Sequence, residues 1–152
     1  MKHKSILGIL ACVAISLVGC GGNPRTVKSE EELKIILADA FRSGDIGSIG
    51  ALYHPSTDPE LKKDMLAAFK PVFESKPTTV VPSVVKLSEV PMNLPGKLNG
   101  KNLKYTTDVT GVIFLDGQSS GEHGTNKIGL YFPFTHSSGG YTLSGVAYDS
   151  KE

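Results

Sequence analysis

The chain contains only two cysteines, Cys12 and Cys20, and both lie in its first twenty residues. Residues 21–152 therefore offer no thiol for a disulfide, a cysteine nucleophile or a thiolate metal site. Arginine is also scarce, because only Arg25 and Arg42 are present, and the lysines are scattered along the chain. Nucleic-acid binding requires a clustered basic face, so this charge pattern predicts no nucleic-acid partner.

The sequence motifs of common enzymes are missing as well. The chain has no G-x-S-x-G nucleophile elbow, no phosphate-binding Walker loop and no glycine motif for a dinucleotide. The histidines beyond the first twenty residues are His54, His123 and His136, and none has a partner at metal-ligand spacing such as H-x-x-x-H. We therefore predict no cofactor and no metal site, and we expect binding rather than catalysis.

The first nineteen residues have the composition of an export signal. Lys2 and Lys4 provide a positively charged start, and the apolar run 6–18 follows. This run is shorter than the ~20 residues that a membrane-spanning helix needs, so an uncleaved transmembrane anchor is the weaker alternative. The segment ends in Leu-Val-Gly-Cys at residues 17–20, which resembles the bacterial lipobox.

The lipobox resemblance implies cleavage before Cys20 and attachment of a diacylglycerol to that residue. We assign residues 1–19 to a signal peptide, 20–28 to the lipidated cysteine and a flexible tether, and 29–152 to a single domain. Position 21 is glycine, whereas an aspartate there resembles an inner-membrane retention mark in diderm bacteria. The expected location is therefore the cell envelope. If the host is diderm, the periplasmic face of the outer membrane is favoured over the inner membrane.

Two amphipathic helices are predicted directly after the tether. Ser29 and Glu32 form a capping box, and apolar residues follow at helical spacing. Gly44 is expected to end this first helix in a left-handed conformation. Asp45 can then cap a short second helix, whose apolar residues also recur at helical spacing.

A third helix is predicted to begin at Pro59, because proline is favoured in the first turn of a helix. Either Thr57 or Asp58 can provide its N-cap. Pro71 lies within the apolar pattern of this helix, so we expect a kink or a broken last turn near Lys70.

After Pro77 the hydrophobic pattern changes to the period of two that is typical of β-strands. Asn99-Gly100 indicates a type I′ hairpin. The expected elements are a strand in 79–90, a long strand over 103–115, a turn at 116–121, a strand over 128–134 and a last strand over 141–147. Helices followed by about four antiparallel strands predict an α+β fold, with the helices packed on one face of a curved sheet.

This order of elements resembles the nuclear-transport-factor-2-like (cystatin-like α+β) superfamily. The local similarity is Ala-Phe-Arg-Ser-Gly-Asp at residues 40–45, followed by Leu-Tyr-His-Pro at 52–55. The resemblance implies a sheet curved around its helices into a cone whose mouth can form a pocket. Members of the superfamily include isomerases, dehydratases, ligand binders and interaction modules, so the fold alone does not imply the function.

His123 and Asp108 are the candidates if the protein is catalytic. His123 follows Glu122, and a carboxylate beside an imidazole can perform acid–base chemistry. Adjacent residues of a strand point to opposite faces, however, so the two side chains cannot easily serve one site. A solvated residue at the end of a strand is the simpler interpretation of His123.

Tyr105, Tyr131 and Tyr141 are the candidates for ligand binding. Each lies in a predicted strand, where its ring can line a concave sheet face and its hydroxyl can meet a ligand. The alternative for all three is packing between neighbouring strands.

The sequence therefore predicts a membrane-tethered envelope lipoprotein that binds a small ligand or another envelope protein. A small cofactor-free enzyme of the isomerase or hydrolase type, with its pocket in the cone, is an alternative. A purely structural envelope component is another. Nothing in the sequence distinguishes a monomer from a dimer.

Overall fold

The computed structural model describes residues 25–150. The predicted signal peptide 1–19 and the predicted lipidation site Cys20 lie outside the described residues. Within them, three helices precede seven strands. The α+β class predicted from the sequence is confirmed.

The helices begin and end where the sequence provides capping residues. Their bounds are α1 (Glu30–Ser43), α2 (Ile46–Leu52) and α3 (Pro59–Glu74). The Ser29 Oγ accepts a hydrogen bond from the Glu32 N–H at 3.1 Å, and Gly44 ends α1 with a left-handed φ of 74°. The Asp58 carboxylate accepts the Leu61 N–H at 2.9 Å, so Asp58 is the N-cap of α3.

Pro71 lies inside α3, which continues as a helix to Glu74, so the predicted break near Lys70 is absent. Proline lacks the N–H that would bond the Ala67 carbonyl. Both Pro71 and Ala67 are exposed, so water can hydrogen-bond this carbonyl instead. No helix in residues 25–150 is both long and apolar enough to cross a membrane.

The strands form two antiparallel sheets. Their bounds are β1 (Thr79–Val85), β2 (Lys97–Leu98), β3 (Lys101–Tyr105), β4 (Gly111–Gly121), β5 (Gly124–Ser137), β6 (Gly140–Leu143) and β7 (Val146–Tyr148). The main sheet has the order β1-β4-β5-β6, and a small sheet has the order β2-β3-β7. The main sheet thus has the predicted number of strands, and the small sheet was not predicted.

The predicted long strand 103–115 is in fact two strands, β3 and β4, which belong to different sheets. The chain leaves β3 because polar groups after it bond to other segments. The Thr107 Oγ1 lies 2.8 Å from the Thr135 Oγ1 and accepts the Gly145 N–H at 2.9 Å. The alternation of side chains continues through this break, so the sequence pattern does not reveal it.

Two further strand predictions are corrected by the structure. Residues 116–121 form the end of β4 instead of a turn, and the turn lies at Glu122 and His123. Gly124 begins β5 with a φ of 119°, which favours glycine. The predicted last strand 141–147 is divided into β6 and β7, which again belong to different sheets.

The hydrophobic core lies between the helices and one face of the main sheet. Helix α1 contributes Leu33, Leu37 and Phe41, which are fully buried. Side chains alternate between the two faces of a strand, so core residues two positions apart in β4 lie on the same face, and the same holds for β5. These main-sheet residues are Ile113, Leu115, Leu130, Phe132 and Phe134.

The packed part of the chain begins before Ser29. Val27, which the sequence places in the tether, is only 2% exposed. Its N–H donates to the Tyr141 carbonyl at 3.0 Å, and the Tyr141 N–H donates back at 2.8 Å. The Arg25 N–H also donates to the Ala51 carbonyl at 2.7 Å. Arg25 and Val27 are therefore held by the domain, although the sequence places both in the flexible tether.

Candidate ligand-binding cavity

A cavity of about 240 Å³ lies between α3, the small sheet and the C-terminal half of β5. Helix α3 contributes Met65, Ala68 and Phe69 to its wall. These three positions share one face of the helix because they are three or four residues apart. From the small sheet, Leu103 and Tyr105 of β3 face the cavity, as alternation along the strand requires.

The segment between β1 and β3 forms the outer wall of the cavity. Leu94, Pro95 and Leu98 contribute apolar surface, and Lys97 is the one charged residue that lines the cavity. Lys97 and Ala68 are exposed, so the cavity opens to solvent beside them. The remaining wall comes from β5, β6 and the chain that leads into β7, and it is also mainly apolar.

Two tyrosines line the inner part of the cavity: Tyr53 is buried, and Tyr105 is half-buried. Burial raises the pKa of Tyr105 to about 12. Burial, and to a smaller extent the neighbouring Tyr105, also raises the pKa of Tyr53 well above its usual value. The Tyr105 hydroxyl is shielded from solvent and has no hydrogen-bond partner in residues 25–150. A buried hydroxyl without a partner is costly.

The structure places two of the three candidate tyrosines at the cavity. Tyr105 and Tyr131 both line it, and the ring of Tyr131 also stacks on Phe114 with centroids 4.7 Å apart. Tyr141 does not line the cavity. Its ring stacks on that of His136 with centroids 4.2 Å apart, at the β5–β6 hairpin.

Tyr53 is a cavity residue that sequence reasoning missed. It follows α2 directly and is only 7% exposed. Its burial could have been predicted from its place in the sequence, because an aromatic residue at the end of a short amphipathic helix points towards the core. Its contact with the cavity depends on how α2 packs against the rest of the domain, and a local sequence pattern does not predict that packing.

Neither catalytic candidate lines the cavity. His123 lies in the exposed turn between β4 and β5, beside the exposed Glu122. Asp108 is exposed in the segment between β3 and β4. The structure therefore does not bring His123 or Asp108 to the apolar cavity.

Asp108 lines a separate, shallow polar cleft, together with His54 and His136. Hydroxyl groups at this cleft bond to one another. The Ser56 Oγ lies 2.7 Å from both the His54 Nδ1 and the Thr106 Oγ1. These bonds tie the chain after α2 to the chain after β3.

No cluster of three or more histidine, cysteine, aspartate or glutamate side chains within residues 25–150 is placed to hold a metal ion. No protein-family model matches this chain, and comparisons with curated proteins and with solved structures give no significant match. The cavity is thus the feature of the described structure that best supports a function.

The raised pKa values of Tyr53 and Tyr105 predict a loss of stability at alkaline pH. Unfolding returns each phenol to its ordinary pKa near 10. Between that pH and about 12, where Tyr105 titrates in the folded protein, the unfolded chain binds fewer protons than the folded one. Stability is therefore fully present below pH ~10 and falls as the pH rises further. We expect the melting temperature to drop between pH 9 and 11.5, and Tyr105→Phe to reduce that drop.

The same variant tests the unpartnered hydroxyl at neutral pH. Tyr105→Phe should leave the free energy of unfolding unchanged or raise it, because no hydrogen bond within residues 25–150 is lost. Tyr148→Phe is the matched control, since the Tyr148 hydroxyl donates to the Asp64 Oδ2 at 3.1 Å. This control should lower the free energy of unfolding, because it removes a hydrogen bond to a carboxylate. A larger loss for Tyr105→Phe than for Tyr148→Phe would contradict the assignment.

Proposed function

We propose that this protein is a membrane-tethered binding protein of the bacterial cell envelope, and that the apolar cavity holds its ligand. The observation that carries the proposal is the cavity itself. Protein interiors contain few voids larger than a water molecule, whereas this one measures about 240 Å³ and opens beside Ala68. Apolar walls with a small number of polar groups are typical of sites for small molecules.

The size of the cavity limits the ligand. At about 30 Å³ for a water-sized group, it has room for about eight non-hydrogen atoms. A cavity of roughly 150 Å³ is already enough for benzene. A short alkyl chain or a substituted benzene therefore fits, and a long lipid chain does not fit completely.

The fold supports a finer proposal, that the helices and main sheet form the cone of the nuclear-transport-factor-2-like superfamily. In support, the three helices precede the sheet in the chain and share its hydrophobic core. A pocket bounded by helices and sheet is what such a cone implies, and the cavity between α3, the small sheet and β5 supports the proposal in this respect.

The tether places the ligand site close to a membrane. In this proposal Cys20 carries the lipid, and the lack of an aspartate at position 21 favours the outer membrane if the host is a diderm bacterium. Arg25 is already bonded to α2 through its backbone N–H. The chain from Cys20 to Arg25 can span at most about 18 Å at ~3.5 Å per residue. The protein would therefore receive its ligand at the membrane surface instead of reaching across the periplasm.

Two adjacent alanines of α3 provide a test of the cavity. Ala67 and Ala68 are both exposed, but only Ala68 lines the opening. We expect 1-octanol to bind the wild type with a Kd of about 0.1–1 mM, given its small size. Ala68→Phe should weaken this binding at least tenfold, because the ring fills the opening. Isothermal titration calorimetry measures both values.

The control is Ala67→Phe, which adds the same ring to the same helix outside the cavity. It should leave octanol binding within about twofold of the wild-type value, since the ring adds nothing at the opening. Equal binding by the two variants, or no binding of octanol to the wild type, would contradict a ligand site in the cavity. A structural role in the envelope would then be favoured.

A further inference from the structure

We propose that the ligand is an anionic amphiphile, with its apolar part in the cavity and its charged head group on Lys97. The inference rests on the proposed binding function and adds the chemical class of the ligand. It follows from the position of one charge at the opening of an otherwise uncharged cavity.

Lys97 is available to a ligand. It is the first residue of β2 and pairs with Asn102 of β3 through the hairpin. Its side chain is exposed, and no carboxylate within residues 25–150 forms a salt bridge with it. The charge of Lys97 is therefore not neutralised by a protein group in the described part of the chain.

The position of Lys97 suits a head group that stays in water. A lysine side chain can lay its aliphatic stem along apolar surface while its ammonium group remains solvated. Leu94 and Pro95 provide such surface beside it. A carboxylate or phosphate held there avoids the large cost of burying a charge.

The inner wall excludes a charged group. It consists mainly of apolar side chains such as Phe69, Leu103 and Phe132. A charge placed there would lose its hydration without gaining an ion pair. The Tyr53 and Tyr105 side chains of the wall end in neutral hydroxyls, so they offer no counter-charge to such a group. Charge at the opening and apolar groups inside together define an amphiphile.

A cationic head group is disfavoured by the same arrangement. Lys97 would repel it, and no acidic residue lines the cavity. Asp64 lies in α3, one turn before Ala68. Its carboxylate accepts a hydrogen bond from the Tyr148 hydroxyl. The order of affinity for ligands of equal chain length should therefore be anion, then neutral molecule, then cation.

The test compares four ligands with the same octyl chain: octanoate, octyl phosphate, 1-octanol and octyltrimethylammonium. The protein is the chain 20–152 with Cys20→Ser, which retains every packed residue that the structure describes. Calorimetry at pH 7.5 and low salt should show at least one anion binding about threefold to tenfold more tightly than octanol. The stronger anion identifies a carboxylate or a phosphate head group.

Lys97→Met should remove the preference for the anion, so that octanoate, octyl phosphate and 1-octanol bind this variant with similar affinities. Lys104→Met is the matched control, because Lys104 lies in β3 between Leu103 and Tyr105 and points to the opposite face. This control should keep the full preference. Added salt should reduce the preference in the wild type, because it screens an exposed charge.

The possible failures are distinguishable. If octanol binds as tightly as both anions, or if Lys97→Met changes nothing, the head-group assignment is overturned and the cavity remains a neutral site. If none of the four ligands binds, the proposed function fails together with this inference.

Discussion

Phe41→Ala is expected to lower the free energy of unfolding by about 3–5 kcal/mol. Phe41 is fully buried, and its ring lies 5.2 Å from that of Phe73, between centroids. It also covers the backbone of Gly117 in β4. One side chain of α1 thus contacts both α3 and the main sheet. Its removal leaves a cavity that these rigid elements cannot close, and urea unfolding followed by circular dichroism would measure the loss.

Ile35→Ala is the control for this prediction. Ile35 lies on the same helix but is 51% exposed, so its truncation should change stability by no more than about 0.5 kcal/mol. Since a domain of this size is stable by roughly 5–15 kcal/mol in total, the two variants should differ clearly. A loss below about 1 kcal/mol for Phe41→Ala would show that α1 does not pack on the sheet as described.

A second variant tests the same contact from the sheet. A Cβ atom on Gly117 would lie 2.6 Å from the Phe41 ring, which is too close. Gly117→Ala should therefore cost about 1–3 kcal/mol. Combined with Phe41→Leu, it should cost less than the sum of the single changes, because the smaller side chain makes room. Strict additivity would mean that Phe41 and Gly117 do not touch.

Cys20→Ala is expected to abolish lipid attachment and lipoprotein processing completely. If Cys20 carries the lipid, alanine offers no thiol for the diacylglycerol, and signal peptidase II has no substrate. The protein should keep its signal peptide or appear as a soluble form. Membrane fractionation and the electrophoretic mobility of the precursor measure the effect. Without the lipid, we expect no attachment through basic residues, because the lysines are scattered along the sequence.

Cys12→Ala is the matched control for the anchor. Cys12 lies in the apolar run 6–18, and alanine preserves the apolar character of that run. Processing and membrane attachment should therefore be unchanged. A Cys20→Ala protein that is cleaved and still membrane-bound would refute the lipobox interpretation.

The helices could be predicted because their limits depend on neighbours in the chain. Ser29, Gly44 and Asp58 act on backbone groups three or four residues away, and the structure shows these caps in place. Apolar spacing then indicated which side of α1 is buried, and Leu33, Leu37 and Phe41 are indeed inside. Local chemistry was sufficient for this half of the fold.

The second sheet could not be predicted in this way. Residues 103–115 keep one alternation of side chains, yet β3 and β4 belong to different sheets. The division depends on Thr107, which bonds to Thr135 and to Gly145 from distant parts of the chain. Periodicity reports which side of a strand is apolar, but it does not report which strand lies beside it.

The candidate site shows the same limit. Tyr105 and Tyr131 could be proposed from their strands, and both line the cavity. Tyr53 and Lys97 could not, because they reach the cavity from a helix end and from a hairpin about forty residues apart. His123, which attracted attention through the neighbouring Glu122, is an exposed turn residue.

The sequence by itself determined the three helices with their caps, the α+β class and the absence of thiol chemistry beyond Cys20. These features depend on residue types and on short-range spacing. Only the tertiary structure decided that the strands divide into two sheets and that a cavity remains between α3 and the smaller one. A cavity is space that side chains from distant segments fail to fill, so it appears only when those segments are packed together.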